Sequence, residues 1–246
     1  MQQKVDKLVK WLQEQVEQAG VKGLLVGISG GIDSAVVANL IKRAMPGSSL
    51  GVMMPCKSHP ADLDHATAVA EAAGIDHITI DLTKAHETLL STITDTLDKA
   101  GIHNQSNDKL ADANLRARLR MSTLYTVATN HNYLVVGTDN AAEWYTGYFT
   151  KYGDGGIDLA PIIHLTKGEV KEMAGYLGVP TDVINKQPSA GLWEGQTDEN
   201  EMGTSYEYID KFLKGEAIPD KDREIIEAMH KRTAHKRDGL KMPDKF

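Results

Sequence analysis

The residues best suited to chemistry stand together at Gly27-Ile28-Ser29-Gly30-Gly31-Ile32-Asp33-Ser34. A short apolar run beginning at Gly23 leads into this turn, and helix-forming sequence follows it. Glycines at a strand-to-helix turn let backbone N–H groups approach an anion, and the helix N-terminus adds partial positive charge. Ser29 and Ser34 contribute hydroxyl donors. Asp33 would repel a phosphate unless a cation stood between them, and Mg²⁺ held by one or two carboxylates plus substrate phosphates resolves that conflict. On glycine content alone, the octet also reads as a plain turn in which Asp33 and Ser34 stabilise a helix start. Two other phosphate signatures are absent. The run Gly51-Val52-Met53-Met54-Pro55-Cys56-Lys57-Ser58 approaches a Walker A but has Cys56 where the second glycine belongs, and no G-x-G-x-x-G follows the first strand. A phosphate site without the P-loop lysine points to reaction at an α-phosphate, with pyrophosphate leaving.

The flanking elements must hold this turn at a sheet edge. Val5, Leu8, Val9, Leu12 and Val16 share one helical face ending at Gly20. After the turn the pattern predicts a helix over 33–45, a strand over 50–54, and a helix from Pro60 to Gly74. A strand over 77–81 and helices over 83–100 and 109–129 follow, then a strand over 133–137. This alternation predicts an α/β fold, a doubly wound and mostly parallel sheet with helices on both faces. Thr166 and Glu169 have capping-box spacing. Gln187 to Asp210 carries six acids and no Lys or Arg, and reads as a mobile loop leading into a short helix. A helical C-terminal extension, about 205–241, ends in the basic stretch His230 to Lys241. No linker divides the 246 residues, so one domain is expected.

Lys and Arg total 27 against 34 Asp and Glu, a net charge of −7, which argues against a general nucleic-acid coat protein. One cysteine, Cys56, excludes an internal disulfide and should pack as a small hydrophobe. Neither a secretory signal nor an apolar run long enough for a membrane span is present, so a cytoplasmic soluble protein is expected.

Ser29-Gly30-Gly31-Ile32-Asp33-Ser34 resembles the SGGxDS loop of the N-type ATP pyrophosphatases, which adenylate a substrate and release pyrophosphate. Gly137-Thr138-Asp139-Asn140-Ala141-Ala142-Glu143 and the later run Thr146 to Asp158 are similar to the long signature of the NAD synthetase family within that superfamily. The resemblance extends to His235-Lys236-Arg237 and so covers nearly the whole chain. It implies an adenine nucleotide alpha hydrolase-like fold and the ATP-driven amidation of deamido-NAD by ammonia, yielding NAD, AMP and pyrophosphate through an adenylate. It also implies a homodimer. The 246 residues leave no room for an attached glutaminase domain, so free ammonia is the expected nitrogen donor.

By resemblance, Gly27 to Ser34, Thr138, Lys167 and Ser189 hold ATP, with Asp33 and Glu143 as Mg²⁺ ligands. Asp33, Ser29 and Lys167 stand closest to the chemistry. Ser189 takes the place of a threonine in the family's PTADL segment, where Gly191 replaces the aspartate. Arg118, Lys151, Asp158, His235 and Lys236 correspond to deamido-NAD contacts. The residues alone leave other roles open: a surface helical glutamate at Glu143, a helix N-cap at Thr138, solvated cations at Lys167 and Arg118. Lys151 and Asp158 also read as loop-shaping residues, and His235-Lys236 as a basic helix end. Trp144, Tyr145, Tyr148 and Phe149 suit either a nicotinate pocket or core packing.

Overall fold

The computed structural model describes residues 1–58, 60–189 and 197–244. The chain begins with α1 (Gln2–Ala19), β1 (Gly23–Gly27), α2 (Ile32–Ala44), β2 (Ser49–Met53), α3 (Pro60–Ala73), β3 (Asp76–Thr79) and α4 (Thr83–Lys99). A 3₁₀ turn (Gln105–Asn107) leads to α5 (Asp108–His131), β4 (Tyr133–Val136) and α6 (Ala141–Thr146). The remaining helices are α7 (Lys167–Leu177), α8 (Thr181–Asn185), α9 (Asp198–Met202), α10 (Tyr206–Leu213), α11 (Asp220–Arg232) and α12 (Ala234–Arg237).

All three strand pairings are parallel, in the order β3-β2-β1-β4, with Leu25 opposite both Leu50 and Val135. The chain winds from β1 outward to β3 and then returns to place β4 on the other side of β1. That reversal creates a switch point between the carboxyl ends of β1 and β4, where open α/β sheets bind ligands. Side chains of β1 alternate between two apolar layers. Leu24 and Val26 join α1, α2 and α7 on one face, while Leu25 joins Leu50, Val52 and Val135 beneath α5 on the other. Cys56 is buried in the second layer. At the sheet edge, the last predicted strand before α4 begins one residue earlier than its alternation suggests and is exposed throughout. Among the described residues, no helix is long and apolar enough to cross a membrane.

Two expectations for the C-terminal part need correction. The acidic stretch is not simply a loop. From Asp198 it forms α9 and α10, capped by Thr197 and Ser205, with Gly203 closing α9 in the left-handed region. Met202, Tyr206 and Ile209 pack with Ala142 of α6 in a third apolar cluster, which supplies the order that charge content concealed. Ala190 to Gln196, including Gly191 and Glu194, lie outside the described residues. The basic tail is likewise two helices, broken at Thr233, whose hydroxyl donates to Thr146 O at 3.0 Å. Gly147 permits that approach, because a Cβ there would stand 2.3 Å from Thr233 Oγ1.

Candidate functional site

The phosphate turn emerges from β1 at the switch point. Gly30 adopts φ +78° and is packed so closely against α3 that a Cβ would meet Asp62 O at 2.8 Å and His65 Cβ at 2.9 Å. Gly30→Ala is therefore expected to cost about 1–2 kcal/mol or more and to weaken ATP binding together with stability. Urea unfolding alongside nucleotide titration would check this, and an unchanged variant would contradict it. Ser34 Oγ donates to Gly31 O at 2.9 Å and accepts from Ser29 N at 3.2 Å, while Ser29 Oγ accepts from Gly31 N at 3.2 Å. The hydroxyls thus shape the turn from within.

From β4 the chain runs through Thr138 and Asp139 to Asn140, which caps α6. Asn140 Oδ1 accepts from Ala142 N and Glu143 N, and Glu143 Oε2 accepts from Asn140 N at 3.1 Å. Asn140, not Thr138, is the N-cap. Its Nδ2 also donates to Asp33 Oδ1 at 2.9 Å, joining the two strand ends. Thr166 and Glu169 form the expected capping box, which starts α7 at Lys167.

Lys167 joins the pieces. Its Nζ donates to Asp33 Oδ2 at 2.6 Å and to Glu143 Oε1 at 3.4 Å. The lysine side chain is 4% exposed, so it is not a solvated cation, and Glu143 at 13% is not a surface glutamate. Burial alone would lower the Lys167 pKa, but the charges of Asp33 and Glu143 outweigh it and hold the ammonium above the ordinary lysine value. Burial pushes the Glu143 carboxyl up to about 7, with Lys167 opposing the shift and Asp33 adding to it.

This shift has a testable sign. Folded Glu143 keeps its proton up to about 7, whereas the unfolded chain releases it near the ordinary glutamate value. Between those values the folded state binds the extra proton, so stability falls as pH rises through the window. Glu143→Gln is expected to remove this contribution, so the wild type should lose ground against the variant between about pH 5 and about pH 7.5. Equal unfolding midpoints for the pair at both values would contradict the prediction.

Sequence reasoning missed the groups that hold these three from the C-terminal side. Tyr206 Oη donates to Glu143 Oε1 at 3.0 Å and to Asp198 Oδ2 at 2.9 Å, and Lys167 Nζ lies 4.6 Å from the Tyr206 ring centre. Asp210 accepts from Lys167 N at 3.0 Å and from Gly168 N at 2.8 Å, a carboxylate answering the free N–H groups of a helix start. No local spacing announced these contacts. Asn140 did carry a signal, since Asn140 and Glu143 have the N-cap and N3 spacing.

A cleft of about 1090 Å³ opens over this group. That is at the upper end of pockets for one small ligand, so two ligands can share it. Gly27, Ile28, Ser29, Gly31, Ile32, Asp33, Ser34, Thr138, Glu143, Lys167, Ser189, His235 and Lys236 line it. Gly30 faces α3 instead. Arg118, Lys151 and Asp158 do not line it. Arg118 donates to Lys151 O at 3.3 Å, and Lys151 Nζ to His235 O at 2.5 Å, so Arg118, Lys151 and His235 form one chain of contacts. Asp158 accepts from Tyr125 Oη at 2.9 Å and from Val135 N at 2.8 Å, which ties down the strand edge. Lys236 Nζ donates to Gly147 O at 2.7 Å and to Phe149 O. Tyr148 and Phe149 face the cleft, Trp144 stacks on Phe149, and Tyr145 packs against His230 and Phe212.

Asp139 also lines the cleft, and its Oδ2 is buried with no hydrogen-bond partner among the described residues. Burial pushes its carboxyl well above the usual range, and Asp154, Glu143 and Asp33 push it further. So many acids in one cleft make it receptive to cations. Asp33 and Glu143 present hard oxygen donors, and among the described residues no third His, Cys, Asp or Glu completes a protein-only metal cage. That set fits Mg²⁺, which takes one or two carboxylates and completes its shell with phosphates and water.

A parallel sheet with a glycine-rich turn after its first strand and a charged cleft at the switch point defines an α/β protein built to hold a phosphorylated ligand. The family model described as NAD synthase matches residues 4–239, and the chain belongs to that family of enzymes. It is 61% identical over 237 residues to the NH(3)-dependent NAD(+) synthetase of Alkaliphilus oremlandii (strain OhILAs), covering 96% of this chain and 95% of that one. Among solved structures it is similar to NMN synthetase from Francisella tularensis, with TM-score 0.92, 39% identity, and 99% and 98% of the two chains covered. It is also similar to the NH3-dependent NAD synthetase of Campylobacter jejuni, with TM-score 0.76, 28% identity, and 99% and 98% covered.

Proposed function

We propose that this enzyme amidates deamido-NAD with ammonia at the expense of ATP, releasing NAD, AMP and pyrophosphate, as the last step of NAD formation. The observation that carries this reading is the meeting of Asp33, Glu143 and Lys167 beside a phosphate turn that lacks a P-loop lysine. A nicotinate carboxylate is a poor electrophile, so an oxygen of it first attacks the α-phosphate. The bond from that phosphorus to the bridging oxygen breaks, and its electron pair leaves with pyrophosphate. Ammonia then adds to the activated carbonyl carbon, AMP departs with the bridging oxygen, and the nitrogen loses a proton to give the amide. The chain's part is to align the reactants and to meet developing charge with fixed groups.

In this reading Gly27 to Ser34 cradle the phosphates, Thr138 and Ser189 contact ATP, and Lys167 sets the two carboxylates and faces the α-phosphate. Asp33 and Glu143 would hold Mg²⁺, which when bound supplies charge neutralisation at the phosphates. Arg118, Lys151, Asp158, His235 and Lys236 serve the dinucleotide. The ammonia-dependent names of curated relatives, whose length this chain spans to 95%, support free ammonia as donor and one synthetase domain filling the chain. A homodimer suits the groove between α4 and α5, where Ile93 and Ile102 are 41% and 69% exposed, and light scattering at two concentrations tests it.

The likeness to NMN synthetase favours a second reading, in which the acid mononucleotide is the substrate. Parallel assays with ATP, Mg²⁺, ammonium and either deamido-NAD or nicotinate mononucleotide separate the two. The first reading requires AMP and NAD from the dinucleotide with the higher kcat/KM. Preference for the mononucleotide would establish the second, and AMP from neither would end both.

A further inference from the structure

We infer that Lys186, at the carboxyl end of α8, is a contact for the β- and γ-phosphates of ATP and for the pyrophosphate they become. The assignment rests on the adenylation reaction proposed above. Lys186 Nζ donates to Asp62 Oδ1 at 2.8 Å and lies 3.4 Å from His65 Nδ1. Asp62 and His65 are the same two residues that press on Gly30, so the ammonium stands beside the phosphate turn. Both Lys186 and Asp62 line the cleft. An ammonium has three donors and no acceptor, so among the described residues these two contacts leave one N–H for an anion.

Charge makes the case stronger. As the bond to the α-phosphate breaks, negative charge gathers on the departing pyrophosphate, and the turn itself contains no cation. Lys167 is held between Asp33 and Glu143. Arg120 is committed to Met54 O at 3.1 Å and Ser58 Oγ at 3.3 Å. Arg232 and Lys236 also line the cleft, from α11 and α12. Lys186, however, is the cation held on the two residues that press on Gly30, and so takes the place that a P-loop lysine occupies elsewhere. The pair with Asp62 is half-buried, 29% and 26% exposed, and water screening limits what it adds to stability. Its better explanation is that Asp62 keeps the lysine aimed at the site.

Calorimetric titration of the full chain with inorganic pyrophosphate and Mg²⁺ tests this without turnover. Lys186→Met is expected to weaken binding about tenfold, and Lys186→Arg to stay within about threefold of wild type. Asp62→Asn removes the charge but keeps the Oδ1 acceptor that aims Lys186, so it should bind pyrophosphate nearly as the wild type does. Unchanged binding by Lys186→Met would overturn the assignment, as would equal losses in Lys186→Met and Asp62→Asn, which mark a structural pair. A wild type that binds pyrophosphate yet never forms AMP would sink the adenylation reading and leave the phosphate contact standing. A wild type that forms AMP but shows no pyrophosphate binding would do the reverse.

Discussion

Replacing Asp33 by alanine is expected to lower AMP formation on the order of a thousandfold, because Asp33 is the one carboxylate that the phosphate turn itself places at the switch point. The loss has three sources. The Mg²⁺ ligand proposed above disappears, Lys167 Nζ loses its 2.6 Å partner, and Asn140 Nδ2 loses the acceptor that joins the β1 and β4 ends. Asp33→Asn keeps the shape and an acceptor for Asn140 but drops the charge. If charge is decisive, it should be nearly as inactive as the alanine variant while melting close to wild type. Initial-rate measurement of AMP release at saturating ATP checks both variants. An Asp33→Asn enzyme with more than about a tenth of wild-type activity would show that positioning, not charge, is the residue's contribution.

Lys167→Met is expected to damage stability as well as activity. It leaves Asp33 and Glu143 facing each other in a largely buried site, and removing one partner of such a group typically costs about 3–5 kcal/mol. Glu143 can escape part of that cost by keeping its proton. The deficit should therefore be larger at about pH 8 than at about pH 5.5, where a neutral Glu143 relieves the repulsion. Urea unfolding at the two values measures this. Activity should fall by at least about a hundredfold even where the variant is folded, since the cation proposed to face the α-phosphate is lost. A deficit that does not change with pH would contradict the picture of two acids sharing one lysine.

Parts of this site were legible in the sequence because their signals are local. The turn from Gly27 to Ser34 announces itself through glycine spacing after an apolar run. The start of α7 is readable because Thr166 and Glu169 satisfy each other's backbone groups within one turn. The long run from Gly137 to Asp158 carried the resemblance to the NAD synthetase family, and Glu143 with it. The meeting of Asp33, Glu143 and Lys167 depends instead on sheet order. Only when β4 returns to lie beside β1 does a capping glutamate on α6 reach the carboxylate on α2.

The C-terminal contribution was hardest to read. A stretch with six acids and no Lys or Arg looks solvated, and that charge masks the helical spacing of Met202, Tyr206 and Ile209, which marks a buried face. Yet Asp198 and Asp210 are buried with partners that lie mostly outside the stretch: Tyr148, joined by Tyr206 from within it, for the first, and the amides of Lys167 and Gly168 for the second. Long-range pairing of this kind leaves no periodic trace. Lys186 escaped notice for the same reason, as its significance depends on Asp62 and His65 packing against Gly30.

The central claim is that an oxygen of the nicotinate carboxylate attacks the α-phosphate of ATP, and it can be read from isotope transfer. Deamido-NAD labelled with ¹⁸O in that carboxylate, turned over with ATP, Mg²⁺ and ammonium, should yield AMP carrying one labelled oxygen and NAD keeping the other. Mass spectrometry of the AMP distinguishes the outcomes. Unlabelled AMP, or ADP and phosphate in its place, would contradict adenylation of the carboxylate in this cleft.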